Sequence, residues 1–316
     1  MANGNGRLQL GLLLRTGEQA RPAGRAIGWS EVKEMSVMAE AVGFDTIWMA
    51  DHLIMRNAGS VVMPPGESRG PLEAWTVLSA IAAVTNRITL GPFVACNSFR
   101  EPALLAKMAD TLDDVSGGRL LLGLGAGWHE PEYTAFGFPF DHLAGRFDEA
   151  LQIIVPLLKG EKVTFHGAYY HVTDSELRPR GPRPGGPPIW IGAKGPRMMR
   201  LIARYADAYN SVWHRDPTPA IERFANLDAA CREVGRDPAS IQRTAGTTVL
   251  VPDAGDAPDV GPNALRGSVQ EIAEKIWAFH TQAGVTHMTV ILDPWTTHGI
   301  EKFGRVLETI RSFEQT

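Results

Sequence analysis

Short apolar runs alternate along the chain with longer amphipathic stretches. The first run is Leu8–Leu14. The stretch after it places apolar residues at helical spacing, at Val32, Met35, Ala39 and Val42. Residues three and four positions apart share one face of a helix, and Gly43 directly after them is a usual end signal. We therefore predict a strand, then a helix capped by Ser30, then a second strand at Asp45–Met49.

The same rhythm continues to the end of the chain. It predicts further strands at Ile88–Val94, Leu120–Leu124, Ile189–Ile191, Ala208–Val212, Thr244–Val251 and His287–Leu292. It predicts further helices at Glu73–Thr85, Pro102–Gly117, Arg146–Leu158, Pro196–Tyr205, Ala220–Val234, Ser268–Ala283 and Ile300–Phe313. Eight strands that alternate with helices indicate an α/β fold, a (β/α)8 TIM barrel, which uses roughly 250 residues. We expect residues 1–316 to form one such domain.

The alternation of strands and helices is interrupted between the fourth and fifth predicted strands. We interpret Gly160–Pro187 as an insertion that contains a hairpin around Val163–Val172 and a turn rich in glycine and proline. Long loops at a barrel mouth often carry function, and this segment contains Phe165, Tyr169 and Tyr170. We therefore expect the insertion and the loop after Trp128 to act together as a lid over the reactive site. The alternatives for the insertion are an oligomer contact or a cap on the edge of the barrel.

Composition and charge exclude several classes of protein. The 31 basic and 35 acidic residues give a formal charge of -4, unlike the strongly basic surface of a nucleic-acid-binding protein. Cys96 and Cys231 form no CxxC pair, which favours a reducing cytoplasm over a disulfide framework or a zinc site. Leu8–Leu14 is far shorter than the ~20 residues of a membrane span, and residues 1–7 have no signal-peptide pattern. We expect a cytoplasmic protein without nucleic-acid or membrane partners.

Polar and glycine-rich residues follow four of the predicted strands. They are Ala50–His52 after the second strand, Ala95–Asn97 after the third, Gly125–Glu130 after the fourth and Gly192–Gly195 after the fifth. The active sites of TIM barrels lie at the carboxyl ends of the strands. These residues are therefore expected to meet at one rim and to form the functional site.

Four segments of the chain resemble the luciferase-like monooxygenase superfamily, especially its branch that depends on coenzyme F420. They are Ala39–Leu53, Thr85–Val94, Arg100–Phe140 and Pro187–Gly195. The resemblance implies a redox cofactor at the barrel mouth, F420 or alternatively FMN, and catalysis on a small-molecule substrate. It also implies a homodimer or higher homo-oligomer, and it allows for a separate enzyme that reduces the cofactor.

The resemblance assigns cofactor contacts to residues at this rim. They are Asp51, His52, Phe93, Val94, Asn97, Gly125, Ala126, Gly127, Trp128, Gly192, Ala193, Lys194 and Gly195. Phe93–Val94 corresponds to a position where the superfamily places a non-prolyl cis peptide. Gly125 and Gly127 would let the backbone approach a flat ring, although they would equally permit a tight strand exit. Trp128 replaces an acidic residue of related sugar-phosphate dehydrogenases.

The turn Gly192–Gly195 runs into Pro196 at a predicted helix start. Free N–H groups, the helix dipole and the charge of Lys194 are together suited to a phosphate. We expect this turn to hold the ribityl phosphate of the cofactor. Arg197 and Arg266 are secondary candidates for binding an anionic tail.

His52 is the candidate catalytic residue, because an imidazole titrates near neutrality and can exchange a proton with a substrate oxygen. The competing interpretation is that Asp51 and His52 only connect the rim, with Asp51 bound to backbone N–H groups. His129 and Trp213 are the candidate substrate contacts.

Three functions remain to be weighed. The first is an F420-dependent oxidoreductase, with a two-component monooxygenase that uses reduced FMN and oxygen as its alternative. The second is a metal-dependent hydrolase, for which the spacing of histidines and carboxylates is poor, so we predict no metal site. The third is a flavin-binding protein without catalysis.

Overall fold

The computed structural model describes residues 7–18, 26–58, 61, 63–255 and 263–315. Its parallel strands, numbered in chain order, are β1 (Gln9–Leu14), β2 (Thr46–Met49), β3 (Thr89–Pro92), β4 (Ala95–Cys96), β5 (Leu122–Gly125), β8 (Ile189–Gly192), β9 (Ala208–Ser211), β10 (Gln242–Leu250) and β11 (His287–Asp293). Two further strands, β6 (Val163–His166) and β7 (His171–Ser175), form an antiparallel hairpin.

The parallel strands close into a barrel. Their order is β3-β2-β1-β11-β10-β9-β8-β5-β4. The sheet closes where the N–H of Leu121 donates to the carbonyl of Leu90 at 2.9 Å. Because β3 and β4 are consecutive pieces of one strand, separated only by Phe93 and Val94, the barrel has eight strand positions. The predicted (β/α)8 fold is confirmed.

Helices alternate with these strands, and eight of them were predicted, whereas the short helix at Glu130–Phe136 was not. Among the described residues they are α1 (Trp29–Val42), α2 (Ala74–Val84), α3 (Pro102–Val115), α4 (Glu130–Phe136), α5 (Leu143–Leu158), α6 (Pro196–Tyr205), α7 (Thr218–Val234), α8 (Val269–Ala283) and α9 (Thr297–Phe313). None of these nine is both long and apolar enough to cross a membrane. Ser268 and Glu271 form a capping box at the start of α8. The prediction that Ser30 caps α1 is wrong, because Gly28 occupies the cap position and the helix already begins at Trp29.

The segment Gly160–Pro187 packs against the outside of the barrel. The N–H groups of Ala168, Tyr169 and Tyr170 donate to the Glu149 carboxylate on α5. Further along, Arg180, Gly181 and Arg183 contact Asp110 and Asp113 on α3. No residue of Gly160–Pro187, all of which the structure describes, lines the cavity at the barrel mouth. The segment therefore braces α3 and α5, contrary to the lid prediction.

Two tryptophans and a histidine fill the centre of the barrel. The rings of Trp48 and Trp190 lie 4.9 Å apart, and His287 lies 4.8 Å from Trp190. A Cβ atom on Gly11 would lie only 2.5 Å from Trp48 Nε1 and 2.7 Å from His287 Nε2. A Cβ on Gly91 would lie 1.9 Å from the carbonyl oxygen of Leu121. The barrel interior therefore accepts its large rings only because the neighbouring strands β1 and β3 carry glycine.

His287 is fully buried, and burial lowers its pKa to about 4, against a weak opposing attraction from Asp45. The unfolded chain binds this proton near pH 6.5. As the pH falls from about 7 to 4, the unfolded state therefore takes up the proton first and the free energy of unfolding decreases. At roughly 1.4 kcal/mol per pKa unit, the residue accounts for a loss on the order of 3 kcal/mol.

We predict that His287→Leu flattens the dependence of unfolding free energy on pH between 6.5 and 4, measured by urea denaturation. The slope will not vanish, because burial also lowers the pKa of His214 to about 4. His298→Gln is the control, since this side chain is 55% exposed. An unchanged slope in His287→Leu would show that the barrel centre does not exclude the proton.

Candidate active site at the barrel mouth

A cavity of about 1030 Å³ opens at the carboxyl ends of the strands. This volume lies at the upper end of the range, ~300–1,000 Å³, that small ligands and cofactors occupy. The cavity is lined by most of the predicted site residues: Asp51, His52, Phe93, Val94, Gly125, Ala126, Gly127, Trp128, His129, Gly192, Ala193, Lys194 and Trp213. The strand ends thus bring together the residues that the sequence analysis singled out.

Two of the predicted contacts lie outside the lining. Asn97 is 1% exposed and begins a short 3₁₀ turn, and its Nδ2 donates to the Tyr170 hydroxyl at 3.2 Å. Its side chain therefore ties the strand end to the segment beside α5. Gly195 precedes α6 with a φ of 90°, and its role is to permit the turn into that helix.

His52 pairs with a carboxylate that the sequence analysis did not identify. Its Nδ1 lies 2.7 Å from Oε1 of Glu132, whose side chain is 1% exposed. The other oxygen of Glu132 accepts from the N–H of Leu53 at 2.5 Å. An ionised carboxylate only accepts hydrogen bonds, so this pairing assigns the ring proton to Nδ1. In the neutral ring Nε2 is then the acceptor, and it has no partner within the described ranges.

His129 lies beside this pair and is held neutral. Its Nε2 accepts from the N–H of Arg56 at 3.1 Å. Burial lowers its pKa, while the nearby Glu132 carboxylate opposes that effect. The proton therefore resides on Nδ1, a buried atom without a partner in the described part of the chain. The single ring lone pair of His129 is therefore occupied by the N–H of Arg56, which disfavours a metal ion held jointly by His129 and His52.

Asp51 connects the ends of two strands. Its carboxylate receives Arg100 in two hydrogen bonds of 2.6 and 3.1 Å and the N–H of Cys96 at 2.9 Å. Burial raises its pKa, and the guanidinium of Arg100 counteracts this. Arg100 also binds Glu73, which caps α2. These contacts match the interpretation in which Asp51 supports the rim.

The glycines after the fourth barrel strand are explained by packing. A Cβ on Gly125 would lie 2.5 Å from Cγ2 of Val94. Gly127 has a φ of 87°, and its Cβ would lie 1.7 Å from the Tyr133 hydroxyl. That hydroxyl in turn approaches Cys96 Sγ at 3.1 Å. Both glycines are therefore required by neighbouring side chains, whatever ligand also approaches them.

The opposite side of the mouth is cationic. Lys194 is exposed to the cavity and directly precedes the turn into α6, whose first N–H groups have no intrahelical acceptor. Arg223 of α7 also lines the cavity and donates to the carbonyl of Val212 at 2.9 Å. Arg197 points elsewhere, since its side chain is 57% exposed and lies 3.9 Å from Asp148. Arg266 does not line the cavity either.

Apolar side chains form the walls between these two sides. Phe93 and Trp213 pack with ring centroids 6.1 Å apart, and Trp128 stands edge-on to His52 at 5.6 Å. The peptides Phe93–Val94 and Val212–Trp213 are both cis. The family expectation for Phe93–Val94 is therefore met, whereas nothing in the sequence pointed to the second cis bond. The loop between β2 and α2 adds Met55 and Met63.

Glu132 orients His52, and we predict that Glu132→Gln weakens the preference for the Nδ1–H tautomer. A neutral amide can donate as well as accept, so it no longer forces the proton onto Nδ1. The measurement is ¹⁵N NMR of the histidine ring, with His52→Gln used to assign the signal. Glu130→Gln is the matched control, because Glu130 is exposed on the same helix. An unaltered His52 spectrum in Glu132→Gln would contradict the orienting role.

Sequence comparisons agree with this geometry. A 33% identical relative over 228 residues is the F420-dependent glucose-6-phosphate dehydrogenase of Microbacterium testaceum, covering 71% of this chain and 64% of that protein. The 5,10-methylenetetrahydromethanopterin reductase of Archaeoglobus fulgidus is 32% identical over 201 residues, covering 63% of this chain and 54% of that protein. The matches thus span less than two thirds of either relative.

The fold is shared with a solved F420-dependent secondary alcohol dehydrogenase, which was crystallised with an F420–acetone adduct. The TM-score is 0.76 at 19% identity, over 96% of this chain and 99% of the other. The family model for luciferase-like monooxygenases matches residues 8–258. The chain therefore belongs to the luciferase-like monooxygenase family.

Proposed function

We propose that this protein is an F420-dependent oxidoreductase that transfers a hydride between the deazaflavin and a small organic substrate. One observation carries the proposal: a single cavity has an oriented histidine on one side and a cationic turn on the other. We call this turn, formed by Lys194, Arg223 and the start of α6, the phosphate cradle. The 33% identical relative from Microbacterium testaceum is an F420-dependent dehydrogenase, which supports the choice of F420.

The cationic side fits the phosphate of such a cofactor. Lys194 and Arg223 line the cavity, and the first turn of α6 supplies N–H groups and the positive end of a helix dipole. The extended backbone before the helix, with Gly195 at positive φ, leaves open space where a side chain would stand. These residues would hold the phosphate.

The apolar walls fit a flat ring. Phe93, Val94 and Trp213 form one side of the mouth, and Trp128 stands beside His52. When bound, F420 supplies or accepts a hydride, that is, two electrons and one proton equivalent. The protein's own contribution is to exclude water along these walls and to handle the proton that must accompany the hydride.

His52 is the residue that we assign to this proton. Reduction of a carbonyl adds a hydride at carbon and a proton at oxygen, and oxidation of an alcohol removes both. His52 lines the cavity, and with its Nδ1–H bound to Glu132 the ring accepts or returns the proton through Nε2. Glu132 stabilises the protonated ring and keeps its orientation.

Titration of the purified protein with F420 and with FMN, each oxidised and reduced, tests the proposal. We expect F420 to bind more tightly and reduced F420 to be reoxidised by carbonyl compounds without oxygen. Preference for reduced FMN with oxygen consumption would instead identify a two-component monooxygenase. Binding without turnover across a substrate panel would favour the non-catalytic alternative.

The proposal includes a cytoplasmic homo-oligomer, with a separate enzyme reducing the cofactor. The oligomer is supported by Leu104 and Val115 on α3, which are 54% and 52% exposed despite being apolar. The separate reductase follows from a cofactor that carries hydride between proteins rather than remaining covalently attached.

Removal of the cradle charge should weaken cofactor binding. We predict that Lys194→Ala raises the Kd for F420 roughly 5- to 150-fold, the equivalent of about 1–3 kcal/mol for one charge-assisted contact. Calorimetric titration provides the Kd. Arg197→Ala is the matched control on the same turn, since Arg197 does not line the cavity.

The phosphate-free deazaflavin chromophore completes this test. Its affinity should be equal in the unmodified protein and in Lys194→Ala, because the contact that is lost is to phosphate. A Kd for F420 that stays constant in Lys194→Ala would remove Lys194 from the cradle.

His52→Ala should reduce turnover more than cofactor affinity. We expect kcat to fall by about 10²-fold or more, the usual contribution of a general acid–base, while the Kd for F420 changes less than tenfold. His171→Ala, on the exposed β7 strand, is the control. Equal losses in kcat and affinity would mean that His52 only contacts the ring.

A further inference from the structure

Besides Lys194 and Arg223, a further cation lies at the mouth, on the side of His52. Arg15 directly follows β1 and lines the same cavity. The register of β1 and β2 pairs Leu14 with Met49. The next residue, Arg15, therefore lies beside Ala50, two positions before His52. The end of β1 therefore carries a guanidinium next to the strand that carries the proposed acid–base.

Arg15 is separated from the phosphate cradle by half of the barrel. Going round the sheet from β1, the strand positions are β2, then β3 with β4, then β5, then β8. With eight positions in total, the ends of β1 and β8 face each other across the mouth. A phosphate held by Lys194 after β8 therefore leaves Arg15 uncompensated.

The described surroundings of Arg15 include one attracting carboxylate, that of Asp293, but it does not form an ion pair with the guanidinium. Its guanidinium carbon lies 3.6 Å from the centre of the Trp295 ring, and it has no hydrogen bond or ion pair with any residue that the structure describes. Burial lowers its pKa to about 10, and the attraction of Asp293 opposes this only in part. A largely buried charge without a partner is costly, and an anionic ligand would remove that cost.

Arg69, a second cation near Arg15, is already neutralised by an ion pair. Arg69 also lines the cavity, but it is paired with Glu67 at 2.8 Å. Apolar residues of β1, β11 and the loop after β2 line the cavity as well: Leu13, Leu14, Met55, Val61, Met63 and Ile291. This part of the cavity therefore offers one unpaired guanidinium on an apolar surface.

We propose that Arg15 binds the carboxylate of an organic substrate anion whose apolar body lies against Leu13, Met63 and Ile291. That this anion is a substrate depends on the proposed function. That Arg15 binds an anion does not depend on it. A guanidinium stacked on Trp295 has a free edge, which presents two parallel N–H groups to a carboxylate. A carboxylate monoanion also matches the single charge, whereas a phosphate dianion would leave an excess negative charge on an apolar surface.

The test uses the protein without cofactor and matched pairs of acids and neutral amides. Hexanoate, benzoate and cyclohexanecarboxylate are each compared by calorimetry with their primary amides. We expect at least one acid to bind tenfold or more tightly than its amide. Arg15→Gln should abolish that difference, and Arg15→Lys should reduce it, because lysine keeps the charge but loses the fork. Arg69→Gln and Lys194→Ala should both retain it.

Several results would overturn the proposal. These are no preference for any acid, a preference that survives in Arg15→Gln, or one that disappears in Lys194→Ala. Tighter binding of phenyl phosphate than of benzoate, dependent on Arg15, would overturn the carboxylate class. Circular dichroism confirms that each variant is folded, and Arg15→Lys replaces Arg15→Gln if the latter is not.

The two proposals fail in distinguishable ways. We expect the Kd for F420 to be unchanged in Arg15→Gln, because the cradle lies across the mouth. An F420 affinity that falls in this variant would assign Arg15 to the cofactor and overturn the substrate role. If F420 binds no form of the protein, the proposed function fails, while the carboxylate measurements still decide the role of Arg15.

Discussion

The need to fill the inside of a closed parallel barrel determines where this protein can bind anything. Trp48, Trp190 and His287 occupy the centre, and Gly11 and Gly91 on neighbouring strands make room for them. A packed centre leaves no passage through the barrel. The cavity therefore begins only above this layer, where the strands end and the polar loops start.

The charged side chains at this mouth fall into two groups, which differ in whether the protein itself supplies their partners. The carboxylates of Asp51 and Glu132 each receive several donors, so they are consumed in fixing the rim and in orienting His52. Lys194 and Arg15 instead face the cavity without a described ion-pair partner. A buried charge is stable only when it is paired, an argument that applies to Arg15 but not to Lys194, which is exposed. The paired carboxylates therefore stabilise the site, whereas the cations without an ion-pair partner are available to bind a ligand.

The sequence predicted the strands, the helices and the strand ends, because hydrophobic period and glycine position are local signals. The role of Glu132 was not predicted, because α4 is only seven residues long and a helix of this length is too short for a periodic pattern to show its buried face. Asn97 lies outside the cavity lining because a 3₁₀ turn directs its side chain towards Tyr170, which the sequence pattern does not show. The insertion was misread as a lid because aromatic residues pack equally well on a helix, and only tertiary contacts reveal that Glu149 holds their backbone.

The positions of the two cations give the cavity a direction. Because β1 and β8 face each other, an anion at each end would fix the ligands along the diameter of the mouth. His52 follows β2, the neighbour of β1, so the proton donor lies near the end that we assign to the substrate and away from the phosphate cradle. Two fixed ends restrict how a cofactor and a substrate can approach each other, and such orientation lowers the entropic part of a reaction barrier. The barrel closure that places these strand ends opposite each other therefore also sets the geometry of the reaction.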